Sequence, residues 1–309
     1  MFSIVFTSLF HILFSVVLGD STQLDLVCQM EKNTAKTEFV ADNQENVTCL
    51  FFSNHKNWEH NNPGTFGITD KDMSLLKNFP ELKSIKLEMQ RVTSAGCQEL
   101  KNCSKIEELM FHYMDYQFSK RQQDSLINPD FMLVANAFCK QLQVLEIKHN
   151  FRLKTTRIGD LKPMPKLRRL VLDNTSAESV AVPFIRSCQA LEELELHRTK
   201  IRNSEVDKIL GDLTKLEKLW IRPENGDYPQ KIDYQVIRSI GHLEHLKELM
   251  LKLNIGTLPF ENGLEYLVPM KSLKKLILNS DYTRDTESIA LLHKYRPDLT
   301  IISGYQVLF

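Results

Sequence analysis

Apolar residues recur along this chain as Leu-x-x-Leu-x-Leu, with conservative swaps. Eight units carry the pattern: Leu82-Ile85-Leu87, Ile106-Leu109-Phe111, Leu142-Leu145-Ile147, Leu167-Leu170-Leu172, Leu191-Leu194-Leu196, Leu216-Leu219-Ile221, Leu246-Leu249-Leu251 and Leu273-Leu276-Leu278. A degenerate ninth is Leu299-Ile302. Alternation such as Leu194-Glu195-Leu196 predicts a short strand with one buried face. Ahead of the next strand, Val206, Ile209, Leu210 and Leu213 fall at i, i+3, i+4 and i+7, which predicts a helix with Ser204 as its N-cap. Val236, Ile237, Ile240 and Leu243 repeat that spacing. A lone strand and helix cannot bury their apolar sides, whereas stacked copies bury them against neighbours.

These motifs resemble the leucine-rich-repeat family over about Ile68 to Ile302. The resemblance implies an α/β solenoid, a horseshoe with parallel concave strands and a largely helical convex side. Repeats of 24 to 27 residues with helical outer segments are similar to the ribonuclease-inhibitor and cysteine-containing subclasses. The domain plan is then a leader over 1–19, an N-terminal cap over 20–67, and about nine repeats over 68–309. The family resemblance implies binding and names no ligand, because a fold does not determine function.

The strand pattern also names the residues that point away from the core. The middle column reads Lys86, Met110, Glu146, Val171, Glu195, Trp220, Met250 and Ile277. Trp220, Met250 and Ile277 are consecutive, and an exposed apolar patch favours an interface core. Lys218, Arg222, Lys252 and Lys275 stand beside them, while Glu146, Glu193 and Glu195 mark the middle repeats. The concave face is expected to be acidic at its centre and apolar with a basic border toward the carboxyl end. Long repeats place insertions after Phe111, Ile221 and Leu251, all on one rim. The first carries Tyr113 and Tyr116, a second candidate contact surface.

Three cysteines, Cys103, Cys139 and Cys188, occupy a column otherwise filled by core hydrophobes, so they read as buried thiols. Cys139 and Cys188 are two repeats apart, about 10 Å, and should not pair. Cys103 has two open partners, Cys97 and Cys139. In the cap, a Cys28–Cys49 disulfide is expected to brace the first layer. Two cysteines followed by Leu50-Phe51-Phe52 resemble the caps of secreted invertebrate leucine-rich-repeat proteins, some of which act in immunity.

Phe2 to Leu18 is an uncharged apolar run ending in Val17-Leu18-Gly19, which reads as a secretory leader cleaved near Gly19. No second apolar run of that length follows, so no membrane span is expected in the mature chain. The sequons at Asn46, Asn102 and Asn174 agree with secretion and glycosylation. Lys plus Arg is 39 and Asp plus Glu is 39, so nothing in the charge points to nucleic acid. No nucleophile elbow, phosphate loop, dinucleotide fingerprint or zinc-protease motif occurs. His242-Leu243-Glu244-His245 reads as a solvated turn, and neither a metal nor a cofactor is expected. The expected function is a secreted, non-enzymatic recognition module for a protein or other extracellular ligand, in innate immunity. The alternative is an inhibitor that wraps an extracellular enzyme.

Overall fold

The computed structural model of this protein describes residues 22–32, 34, 36–44, 46–54, 67–114, 129–150, 155–175, 177–223, 234–251, 260–261, 263–278, 286–303 and 306–307. The expected leader and most of the three insertions lie outside them. The chain divides into two units, Met1–Leu153 with Asp160–Lys162, and Lys154–Gly159 with Pro163–Phe309.

The first unit begins with helix α1 (Thr22–Glu31) and an antiparallel hairpin of β1 (Lys36–Ala41) and β2 (Val47–Ser53). Parallel strands β3 (Ser84–Glu88), β4 (Glu108–His112) and β5 (Val144–Lys148) follow, with β3 laid against β2. Register aligns Leu50, Ile85, Leu109 and Leu145 in one row, and Phe52, Leu87, Phe111 and Ile147 in another. All eight side chains are fully buried. Removing a side chain of this size from water contributes about 1.5–3 kcal/mol, which is why the motif positions dictate the fold. The segments ahead of the strands are short. Helices α2 (Asp70–Met73) and α3 (Ser94–Gln98) each run into a 3-10 turn, and Pro129–Phe138 is 3-10 throughout.

The second unit repeats the plan with parallel strands β6 (Arg169–Asp173), β7 (Glu193–Thr199), β8 (Lys218–Pro223), β9 (Glu248–Leu251), β10 (Lys275–Leu278) and β11 (Thr300–Ser303). Strand β12 (Gln306–Val307) turns back antiparallel on β11. Helices α4 (Val182–Ser187), α5 (Asn203–Leu210), α6 (Tyr234–Ile240) and α7 (Thr286–Tyr295) precede β7, β8, β9 and β11. Val206, Ile209, Leu210 and Leu213 are buried as their spacing predicts. Each unit is thus an α/β leucine-rich-repeat solenoid.

Where the strand ladder stops, main-chain groups need other partners. Strands β3 to β6 each end one residue before a non-glycine residue in the left-handed region, Met89, Tyr113, His149 and Asn174, and β7 carries Arg198 in the same conformation just before its last residue, all with φ between 47° and 57°. The next residue is buried in every case: Gln90, Met114, Asn150, Thr175 and Thr199. Asn150 shows why. Its Nδ2 donates to the Phe111 and Lys148 carbonyls, and its Oδ1 accepts from the Met114 N–H at 2.7 Å. Gln90 does the same in its repeat, accepting from the Ile68 N–H and donating to the Glu88 carbonyl.

Three expectations need correction. Ser204 is not the cap of α5. The cap is Arg202, two residues earlier, and the Glu205 carboxylate accepts the Arg202 N–H at 2.7 Å. The ninth unit is out by one residue, since Ile301 pairs in register with Leu276 and is fully buried while Ile302 pairs with Ile277. The Cys28–Cys49 bond is not formed, and all six thiols are free. Cys28 sits on α1 among Asp25, Glu31 and Lys32, whereas Cys49 alternates with the buried Leu50 on β2 beside Thr48, Lys83 and Glu108. Cys97, Cys103 and Cys188 are fully buried, Cys139 half-buried. Burial pushes the Cys103 thiol up to about 12 and Cys188 up to about 11, so both stay protonated and inert. A fully buried Arg296, which the repeat pattern does not mark, holds the last repeats together. Its guanidinium donates to the carbonyls of Leu267, Met270 and Leu273 and to the Asp298 carboxylate.

Candidate functional site

The outward side chains stand in three columns on the strand face of each unit. In the second unit the first column is Arg169, Glu193, Lys218, Glu248, Lys275 and Thr300, one residue per strand. Its signs alternate, so each charge has a partner on a neighbouring strand. Arg169 bonds Glu193 at 2.6 Å and Glu195 at 3.3 Å. Lys218 bonds Glu195 at 2.9 Å, and Lys275 bonds Glu248 at 3.1 Å. The expected basic border at Lys218 and Lys275 is therefore neutralised by carboxylates. The expected acidic centre is neutralised too, because Glu195 is buried beneath its two cations.

The middle column runs Val171, Glu195, Trp220, Met250, Ile277 and Ile302. Val171 is buried, and Trp220, Met250, Ile277 and Ile302 form a half-buried apolar row on four neighbouring strands. Trp220 is not the freely exposed ring its position suggests. The His197 ring lies parallel to it at 5.7 Å between centroids. The Lys218 ammonium stands 3.9 Å from its centroid, and its Nε1–H donates to Glu248 at 2.8 Å. Stacking, a cation over the face and a charge-assisted hydrogen bond hold the indole in one orientation.

Arg222 is the register partner of His197 in the third column, and both carry a buried nitrogen without a hydrogen-bond partner, Arg222 Nε and His197 Nε2. Burial lowers the His197 pKa despite the nearby Asp173 and Glu195 carboxylates. The structure thus brings together Trp220, Met250, Ile277, Lys218 and Lys275, with Arg222 in the next column, while Lys252 lies outside the described residues. His197 and Glu248 belong to the same assembly and went unrecognised in the sequence. Their signal was available only as register: each occupies the outward position of a strand next to Trp220.

The first unit presents a different face. Its middle column is Phe51, Lys86, Met110 and Glu146, and beside it stand Glu88, His112 and Lys148. Buried Glu146 accepts from His112 Nε2 at 3.0 Å and pairs with Lys148 at 2.9 Å. Burial lowers the His112 pKa, and the Glu146 hydrogen bond only partly offsets it. Tyr113, the described member of the rim pair, stacks on His149 at 4.2 Å, and Tyr116 lies outside the described residues.

Among the described residues, no three His, Cys, Asp or Glu side chains could share a metal ion. His242, Glu244 and His245 are exposed around the buried Leu243, as a solvated turn requires. No described helix is long and apolar enough to cross a membrane.

No family model matches the chain, and no curated protein does. Among solved structures, the chain is similar to an internalin from Listeria monocytogenes, with 19% identity and a TM-score of 0.46, over 79% of this chain and 66% of that one. It is similar to the structure of a TLR13–ssRNA13 complex, with 15% identity and a TM-score of 0.44, over 73% of this chain and 33% of that one. The chain spans less than two thirds of the length of either. Likenesses this distant carry no inference about what this chain binds.

Proposed function

We propose that this protein is a secreted, non-enzymatic recognition module that binds a protein ligand through the strand face of its second unit. One observation supports the reading above others: Trp220, Met250, Ile277 and Ile302 form an unbroken apolar row in register on four strands, outside the core. Soluble chains seldom leave such a row in water unless it meets a partner. Trp220, braced by His197, Lys218 and Glu248, is preorganised, so little side-chain entropy is lost on contact. The flanking charges cancel in pairs, which suits a partner of mixed polarity rather than a strongly charged one. The alternative is an inhibitor that wraps an extracellular enzyme; for a basic enzyme it calls for a strongly acidic face, and the carboxylates of this face are already paired. Secretion and a setting in host defence belong to this proposal and rest on the apolar leader and on the cap resemblance.

The test uses Met250→Asp and Ile277→Asp, because neither residue is braced as Trp220 is. Immobilised wild-type and variant chains are exposed to the same extracellular fluid. A ligand of this face is retained by the wild type and lost from both variants, with melting temperatures close to the wild type. Retention that is equal on all three chains would remove the row from consideration.

A further inference from the structure

We propose that Asn102 is a site of N-linked glycan attachment and that the sequon at Asn174 is left empty, because the fold itself claims both of its leading residues. The inference rests on the secretory route of the preceding proposal.

The two sequons differ in what surrounds them. Asn102 ends the 3-10 turn Glu99–Asn102 and is exposed, as is Ser104. Only the middle residue, Cys103, points inward, where it is fully buried and its thiol donates to the Leu76 carbonyl. Asn102 Nδ2 donates to the Glu99 carboxylate at 2.9 Å, at the surface. In the modification, Nδ2 displaces the pyrophosphate of a lipid-pyrophosphate-linked oligosaccharide at its anomeric carbon. The carbon–oxygen bond breaks, a carbon–nitrogen bond forms, and one amide proton leaves. The second N–H remains to donate to Glu99, so attachment disturbs nothing in the fold.

Asn174 and Thr175 occupy the two positions that follow strands β3 to β6 and that close β7. Asn174 takes the left-handed conformation shared with Met89, Tyr113, His149 and Arg198, and Asn is among the residues most at ease there. Its N–H donates to the His197 carbonyl at 2.8 Å and the residue is half-buried. Thr175 falls in the buried position of Gln90, Asn150 and Thr199, and its hydroxyl is enclosed. Asn174 and Thr175 thus fill the two strand-end positions of this repeat, and the sequon coincides with residues the fold already uses. A branched oligosaccharide on Asn174 would force the strand end open.

The chain is expressed in eukaryotic cells behind a heterologous cleavable leader, so the result does not depend on its own leader. The glycans are removed enzymatically in heavy-oxygen water, and peptides are read by mass spectrometry. The expected result is label at Asn102 and none at Asn174. Ser104→Ala should then raise electrophoretic mobility by one glycan, and Ser176→Ala should leave it unchanged. Label at Asn174, or an unlabelled Asn102, overturns the proposal. A parallel arm keeps the native leader: retention in the cell there counts against secretion and leaves the site assignment to the first arm.

Discussion

The two strand faces share one scaffold and present different chemistry. In both, the residues flanking the middle column are fully buried apolar side chains held in parallel register. In the first unit the outward side chains form a compact ionic cluster of Lys86, Glu88, His112, Glu146 and Lys148. In the second they form an apolar row bordered by alternating charges that cancel across strands. The lesson is that the inward positions are under common constraint and the outward ones are free to diverge. A cross-strand ion pair on a solvent-facing sheet contributes at most about 1 kcal/mol, so such pairs can be exchanged for apolar contacts without loss of the fold. The apolar row is the feature with no structural need behind it, which is why function is assigned there.

The comparison breaks first at the strand ends, where the scaffold is most heavily loaded. The first unit uses amide side chains at two of its three strand ends, Gln90 and Asn150 with Met114 between them, where the second uses Thr175 and Thr199. Asn150→Ala removes three hydrogen bonds from buried main-chain groups and is expected to lower unfolding free energy by about 3 kcal/mol. Thr199→Ala, which removes one small hydroxyl, should cost far less in the same urea titration. Equal losses would show that both units satisfy their strand ends alike.

Trp220→Ala comes next. It removes the His197 stack, the Lys218 contact and the Glu248 hydrogen bond, and a loss of about 2 kcal/mol is expected. Trp220→Phe keeps the stack and should lose about half of that, chiefly the bond to Glu248. If Trp220→Ala melts like the wild type, the ring is a free surface residue and the braced face of the second unit is not real.

The smallest expected effect is in the acid limb of stability, and it should be seen in both units. His112 and His197 are held below the ordinary histidine range, chiefly by burial. The unfolded chain takes up a proton near pH 6.5, while the folded chain does so only at lower pH. The unfolded state therefore binds more protons in that window, and stability falls as pH drops below about 6.5. His112→Gln, which can still donate to Glu146, should flatten the decline in melting temperature between pH 7 and pH 5. His197→Gln should do the same in the second unit. An unchanged slope in either variant would mean that its imidazole titrates alike in both states.

The repeat motif, its inward residues and the middle outward column were legible in the sequence, because each depends on spacing of two or three residues within one strand. Val206, Ile209 and Leu210 were legible for the same reason on a helix. The start of α5 was not, because Ser204 and Asn203 are both acceptable near a helix start and the Arg202–Glu205 bond decides between them. The ninth repeat slipped by one residue because Ile301 and Ile302 are equally apolar, and only pairing with Leu276 and Ile277 separates them.

What the sequence determined by itself was the solenoid: a hydrophobic period that no single repeat can bury and that stacked repeats bury completely. What only the tertiary structure decided was which outward residues meet. Lys218 and Glu195, Trp220 and Glu248, and His112 and Glu146 are 23 to 34 residues apart in the chain and are brought together by strand register alone. The latch at Arg296 and the shared strand ends at Asn174 and Thr175 are likewise properties of register and backbone conformation. The physical reason is common to all of them: burial is a property each residue carries with it, whereas a hydrogen bond or ion pair exists only once a partner's position has been set.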